Sequence, residues 1–233
     1  MKFILFLSNL FLLCAALANA QNFSQQPSYT RQQLRDSLNA ASKELSFHPD
    51  SIDLRLRKAS WNIQLEQWQY ARDEYDYVLQ RNPDNIAALF YRAFVNEKQK
   101  RYSFARLDYE HLLYLVPGNF EAGLGLALLN DKDCRYTDAM NQINLLVSQY
   151  PDNAVAYAAR GGMEVQRKMY IPAEYDYGKA IELDPQNSDY RLNRANVRLL
   201  LKRKEDARED LDAMVRLGVP RANLTEWYRK CGK

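Results

Sequence analysis

Histidine and cysteine are scarce in this chain. It has two histidines, His48 and His111, and three cysteines, Cys14, Cys134 and Cys231. The histidines stand 63 residues apart and His48 directly precedes a proline, so they offer neither an acid–base pair nor a ligand set and read as surface or packing residues. Cys134 has no histidine near it in sequence to activate it as a nucleophile. Only eight glycines are present, and none form a phosphate-cradling loop. Asn130-Asp131-Lys132-Asp133 gathers acids but lacks the glycine and the distant glutamate of a calcium loop, so it reads as a solvated turn. The expectation is a non-enzymatic chain with no catalytic residues, no metal site and no cofactor. A formal charge of +3 with an ordinary charged fraction of 26% argues against a nucleic-acid partner.

Long apolar runs are missing too, except at the start. Lys2 precedes an apolar run from Phe3 to Leu17, and Ala18-Asn19-Ala20 supplies the small residues of a cleavage site. Residues 1–20 therefore read as a cleavable secretory signal, too short to span a bilayer. Cys14 follows Leu12-Leu13 rather than a small residue, which favours simple cleavage over lipidation. The mature chain would begin at Gln21 with a formal charge of +2, and residues 21–30 read as a flexible polar lead. Cys134 and Cys231 are then left as free thiols or an intermolecular bond.

What is abundant is periodicity. Pro49, Pro83, Pro117, Pro151 and Pro185 stand 34 residues apart, and Ala71, Ala105, Ala139, Ala173 and Ala207 keep the same interval. Frames of that length divide residues 52–221 without insertion into 52–85, 86–119, 120–153, 154–187 and 188–221. Within each frame, position 20 is Ala, and positions 17, 24 and 28 are largely aromatic or aliphatic, which is the spacing of one helical face. Position 8 is Ala59, Ala93, Ala127, Gly161 and Ala195, a second close-contact site on an earlier helix. Each frame is thus a helix hairpin turning near position 15 and stopped by its proline. Positions 7 and 23 lie level across such a hairpin and hold Lys58 with Glu74, Arg92 with Asp108, Arg160 with Asp176, and Arg194 with Asp210. The third frame lacks both members, Leu126 facing Gln142, as expected of a structural ion pair. Residues 31–51 read as an N-terminal capping helix with Leu34, Leu38, Ala41 and Leu45 on one face, and 222–233 as a C-terminal capping helix.

Ala-x3-Tyr with proline eight residues later, at a period of 34, resembles the tetratricopeptide repeat. The basic residue at position 7 and the acid at 23 resemble a known variant of it. The resemblance implies an all-α, right-handed solenoid of helix hairpins and a scaffold that binds proteins or peptides. The tail from Leu217 to Tyr228 is similar to that of exported repeat proteins of the Bacteroidota, which implies a Gram-negative periplasm.

In that fold, first-helix positions 5, 9 and 12 line the concave face. Here they include Leu56 and Ile63 in the first frame, Phe90, Phe94 and Glu97 in the second, and Leu124, Leu128 and Asp131 in the third. Val165 represents the fourth, and Leu192, Asn196 and Leu199 the fifth. The wall is an apolar trough with acids at its middle edge. It lacks the Lys and Asn with which chaperone-binding relatives clamp a C-terminal carboxylate. Two readings stay open: a groove for a protein or peptide, or packing between neighbouring first helices. A rival function is capture of a glycan or other small ligand by an envelope uptake system, against which the aliphatic wall argues.

Overall fold

The structure is a computed structural model and describes residues 29–232. The leader expected over 1–20 and most of the lead expected over 21–30 lie outside the described residues. Among those described there are twelve α-helices and one 3-10 turn, with no strand. No helix among them is long and apolar enough to cross a membrane. The chain divides into two compact units, one ending at Arg135 and the other beginning at Tyr136, so the boundary falls within the third frame.

The first unit holds α1 (Arg31–Phe47), α2 (Ile52–Gln64), α3 (Trp68–Arg81), α4 (Ile86–Lys98), α5 (Tyr102–Leu115) and α6 (Phe120–Lys132). Each packs on the next, and α4 also touches α6. The second unit holds α7 (Tyr136–Gln149), α8 (Ala154–Gln166), α9 (Tyr170–Leu183), α10 (Ser188–Leu200), α11 (Lys204–Arg216), a 3-10 turn at Arg221–Leu224 and α12 (Thr225–Cys231). Its helices likewise pack in sequence order. Within the 222–233 expected as a capping helix the α-helix begins only at Thr225, because Pro220 opens a 3-10 turn in which its carbonyl accepts from the Asn223 N–H at 2.9 Å.

Helix ends follow from local chemistry. His48, Asn82, Val116 and Asp184 each precede a proline, and each leaves helical geometry, with φ between −129° and −135°. The proline ring disfavours the helical region for the residue before it. Ser51, Asn85, Asn119, Asn153 and Asn187 then cap the next helix, each side-chain oxygen accepting a backbone N–H. The polar residue after each proline is therefore a helix start as well as a turn former.

Inside each frame the connection is tighter. Position 15 is Glu66, Lys100, Cys134, Lys168 and Lys202, all left-handed, with φ from 59° to 65°. The N–H of the following residue donates back five residues, as from Gln67 to the Asn62 carbonyl at 2.8 Å and from Arg203 to the Arg198 carbonyl at 2.8 Å. This is a Schellman closure, normally built on glycine.

The periodic small residues are buried. The five alanines at position 20 have no accessible surface. In the second unit a Cβ on Gly161 would lie 3.4 Å from the Ala173 carbonyl oxygen, so α8 and α9 meet at positions 8 and 20. Tyr75, Tyr109, Ile143, Tyr177 and Leu211 at position 24 are all buried beside them. The helix α6 is buried on every side from Ala122 to Asp131. That overturns the solvated-turn expectation for 130–133: Asn130 and Asp131 close a buried helix, and Arg106 reaches the Asn130 side-chain oxygen at 3.0 Å and Asp133 at 2.5 Å. Tyr136, by its spacing a core residue, is instead half exposed, with Arg167 over its ring at 4.8 Å.

Candidate functional site

The trough residues have unequal surroundings. In the first unit Leu56, Ile63, Phe90 and Phe94 are half-buried, whereas Glu97, Leu124, Leu128 and Asp131 are buried. Phe90 and Phe94 stand one turn apart on α4. The Phe90 ring meets Tyr109 edge-on at 6.0 Å, and Phe94 meets Trp68 edge-on at 6.1 Å. Lys98 holds its ammonium 5.0 Å from the Phe94 centroid. Both rings are thus anchored on one edge by the core and keep part of their surface outside it. Glu97 pairs with the Lys132 ammonium through one oxygen, and its buried Oε2 finds no hydrogen-bond partner among the described residues. Leu124 and Leu128, at 1% and 3% exposure, belong to the buried helix α6. The accessible strip in this unit is therefore made by α2 and α4.

In the second unit Ala158 is buried, and Val165 packs against the cluster that contains it. Leu192 and Leu199 pack against Ala195, Ala207, Leu211 and Met214, while Asn196 stays half-buried. These side chains reinforce a core as much as they face outward.

The level pairs at positions 7 and 23 form ion pairs. Lys58 meets Glu74 at 2.7 Å, Arg92 meets Asp108 at 2.6 Å, Arg160 meets Asp176 at 2.6 Å, and Arg194 meets Asp210 at 2.6 Å. The acids at Asp108, Asp176 and Asp210 are buried and the bases less so. Burial raises the carboxyl of Asp108 above its ordinary range, and the Arg92 guanidinium opposes that rise. Position 11 extends the network: Asn96 donates to Asp108 at 3.3 Å, and Arg198 to Asp210 at 3.0 Å.

At the same position in the fourth frame stands Glu164, a buried acid beside the acid Asp176. Burial first, and the Asp176 charge second, push its carboxyl up to about 7. Spacing alone missed this residue. An acid where the first three frames have asparagine, beside the position-23 acid, is the signal that marks it.

A further contact recurs between frames. In the first, third and fifth frames position 25 meets the residue sixteen places later. Asp76 accepts from Arg92 Nη1 at 2.8 Å, Asn144 from Arg160 Nη1 at 3.1 Å, and Asp212 from the Tyr228 hydroxyl at 2.6 Å. Among the described residues Cys134 and Cys231 are both free: Cys134 is exposed in its hairpin turn, and Cys231 is buried. His111 Nε2 lies 3.0 Å from Asp84 at the surface.

Residues 177–209 match the family model of the tetratricopeptide repeat. No curated protein matches the sequence. Among solved structures, a tetratricopeptide repeat protein from Parabacteroides merdae is 21% identical, covers 96% of this chain and 84% of its own, and superposes with a TM-score of 0.67. PilW, a type IV pilus biogenesis factor, is 15% identical over 88% of this chain and 90% of its own, with a TM-score of 0.68. YrrB, described as a repeat protein with an unusual peptide-binding site, is 18% identical over 76% of this chain and 92% of its own, with a TM-score of 0.55. The hairpin geometry, the matched segment and these likenesses agree: residues 177–209 match the tetratricopeptide repeat, and the chain has the all-helical fold of the tetratricopeptide repeat structures it resembles.

Proposed function

We propose that the chain is a non-catalytic scaffold of the cell envelope that binds a protein or peptide along the first-helix strip of its repeats. The observation that carries this reading is the pair Phe90 and Phe94 on α4. Each ring is fixed along one edge by Tyr109 or Trp68 and keeps accessible surface, and Leu56 and Ile63 on α2 are likewise half-buried. Rigid aromatics of this kind lose little entropy on binding, and a helical strip at one-turn spacing suits an extended or amphipathic peptide. The peptide-binding site named for YrrB supports the class of activity, and the type IV pilus biogenesis named for PilW supports an envelope setting.

Export rests on the leader at residues 1–20. Mass spectrometry of the mature protein is expected to find Gln21 at its N-terminus, and an intact Met1 would count against export. The binding reading is tested by Phe94→Asp in a pull-down from envelope extract, with circular dichroism alongside. A folded variant that loses its partner supports the strip. A folded variant that captures every partner normally removes it.

A further inference from the structure

The second unit contains an open cavity of about 400 Å³ that includes Gly178, Arg194, Arg198, Arg203, Ile171 and Tyr175 in its lining. It lies where a periodic contact is missing. Asp76, Asn144 and Asp212 each fill position 25 and satisfy a donor sixteen residues later. In the fourth frame position 25 is Gly178, and the residue sixteen later is Arg194. Arg194 gives Nε and Nη2 to Asp210, at 3.1 and 2.6 Å. Its Nη1 is the atom that, in Arg92 and Arg160, meets the position-25 oxygen. Here it lies 3.6 Å from the point where a Gly178 Cβ would stand. A missing side chain and a guanidinium nitrogen therefore face each other across the same few ångströms.

The electrostatics fit an anion. Arg194, Arg198, Arg203 and Lys179 line the cavity against Glu174 and Glu182. Glu174 is held by Arg198 at 2.9 Å and Arg203 at 2.7 Å, and Glu182 by Lys179 at 2.7 Å. The side chains of Arg194 and Arg198 are only 19% and 17% exposed, so water screens them weakly and a carboxylate there makes strong charge-assisted bonds. Ile171 and Tyr175 add exposed apolar surface at 67% and 62%.

We infer that this cavity receives the carboxylate of an Asp or Glu side chain from a partner polypeptide, flanked by an apolar residue, in the place that position 25 fills in the first, third and fifth frames. The site is separate from the α2–α4 strip and does not depend on it.

The test is titration of the isotope-labelled full-length chain, following arginine side-chain resonances by NMR. The probe is Gly-Glu-Gly blocked at both ends, with Gly-Gln-Gly and sodium acetate as comparisons at matched ionic strength. The Glu peptide is expected to shift Arg194 saturably. Gly178→Asp, which supplies its own carboxylate, is expected to weaken binding at least about tenfold, and Gly178→Asn to do the same through its amide oxygen. Gly178→Ala adds only an ordinary contact and should keep binding within about threefold. Circular dichroism establishes that each variant is folded. An absent or unsaturable shift, equal binding by the Gln peptide, or unchanged binding in both folded Gly178→Asp and Gly178→Asn overturns the site. Acetate binding as tightly as the Glu peptide overturns the polypeptide ligand.

Discussion

The most telling residues of this chain are those that break a local preference. Position 15 requires a left-handed backbone in every hairpin, yet none of its five residues is glycine. A side chain there costs roughly 1 kcal/mol relative to glycine. Lys100→Gly is therefore expected to raise stability by about 0.5–1 kcal/mol, read from urea unfolding, because no hydrogen bond of the turn involves the lysine side chain. The same change at Arg101, which is not left-handed, should destabilise. Sequence reading located the turn but not this geometry, because Glu, Lys and Cys carry no signal of positive φ.

Glu164 sets a pH dependence. Its carboxyl titrates near 7 in the folded chain, against the ordinary 4.5. The folded state thus binds the proton more tightly than the unfolded state, and stability falls as pH rises from about 4.5 through about 7. The contribution is fully present below that window and absent above it. Glu164→Gln should flatten the fall and add on the order of 2 kcal/mol at pH 8, where the wild-type residue is a buried charge beside Asp176. Urea melts of both proteins at pH 5 and pH 8 decide this. An identical pH profile in the variant would remove Glu164 as the cause.

At the scale of the element, the hairpin is where sequence and structure agree most closely. Equal spacing from a turn at position 15 led directly to four ion pairs that the structure places within 2.7 Å. The turn residues after each proline were legible as polar, whereas their capping of the next helix was visible only in the backbone geometry. Asn119→Ala should cost about 1 kcal/mol, since the α6 N-terminus loses the acceptor for the Ala122 N–H. Packing between α5 and α6 is tighter still. A Cβ on Gly125 would lie 2.7 Å from the Tyr109 ring, so Gly125→Val should cost about 1–3 kcal/mol in a thermal or urea melt. Nothing in the sequence marked Gly125, because it falls outside the periodic small positions. The burial of Asn130 and Asp131 was hidden for a related reason: polar residues at a helix end read as solvent-facing until the neighbouring helix supplies Arg106.

For the whole molecule, a period of 34 residues was enough to establish helix hairpins in series, since no single hairpin buries its apolar face alone. The binding surface was less legible. First-helix positions 5, 9 and 12 define a helix face, but whether a residue on it is open depends on its neighbours. Phe94 and Leu128 occupy equivalent places in consecutive frames, yet one is half-buried and the other is 3% exposed. The Gly178 cavity was invisible as a motif, because it consists of a side chain that one frame lacks.

The central claim is that a partner polypeptide is held by first helices. Once a partner has been captured, hydrogen–deuterium exchange of the free and bound chain addresses it directly. The account predicts slowed exchange on binding in α2 and α4, centred on Phe90 and Phe94, with little change in α3 and α5. Slowing confined to α3 and α5, where Phe104 and Leu107 are exposed at 51% and 62%, would contradict it.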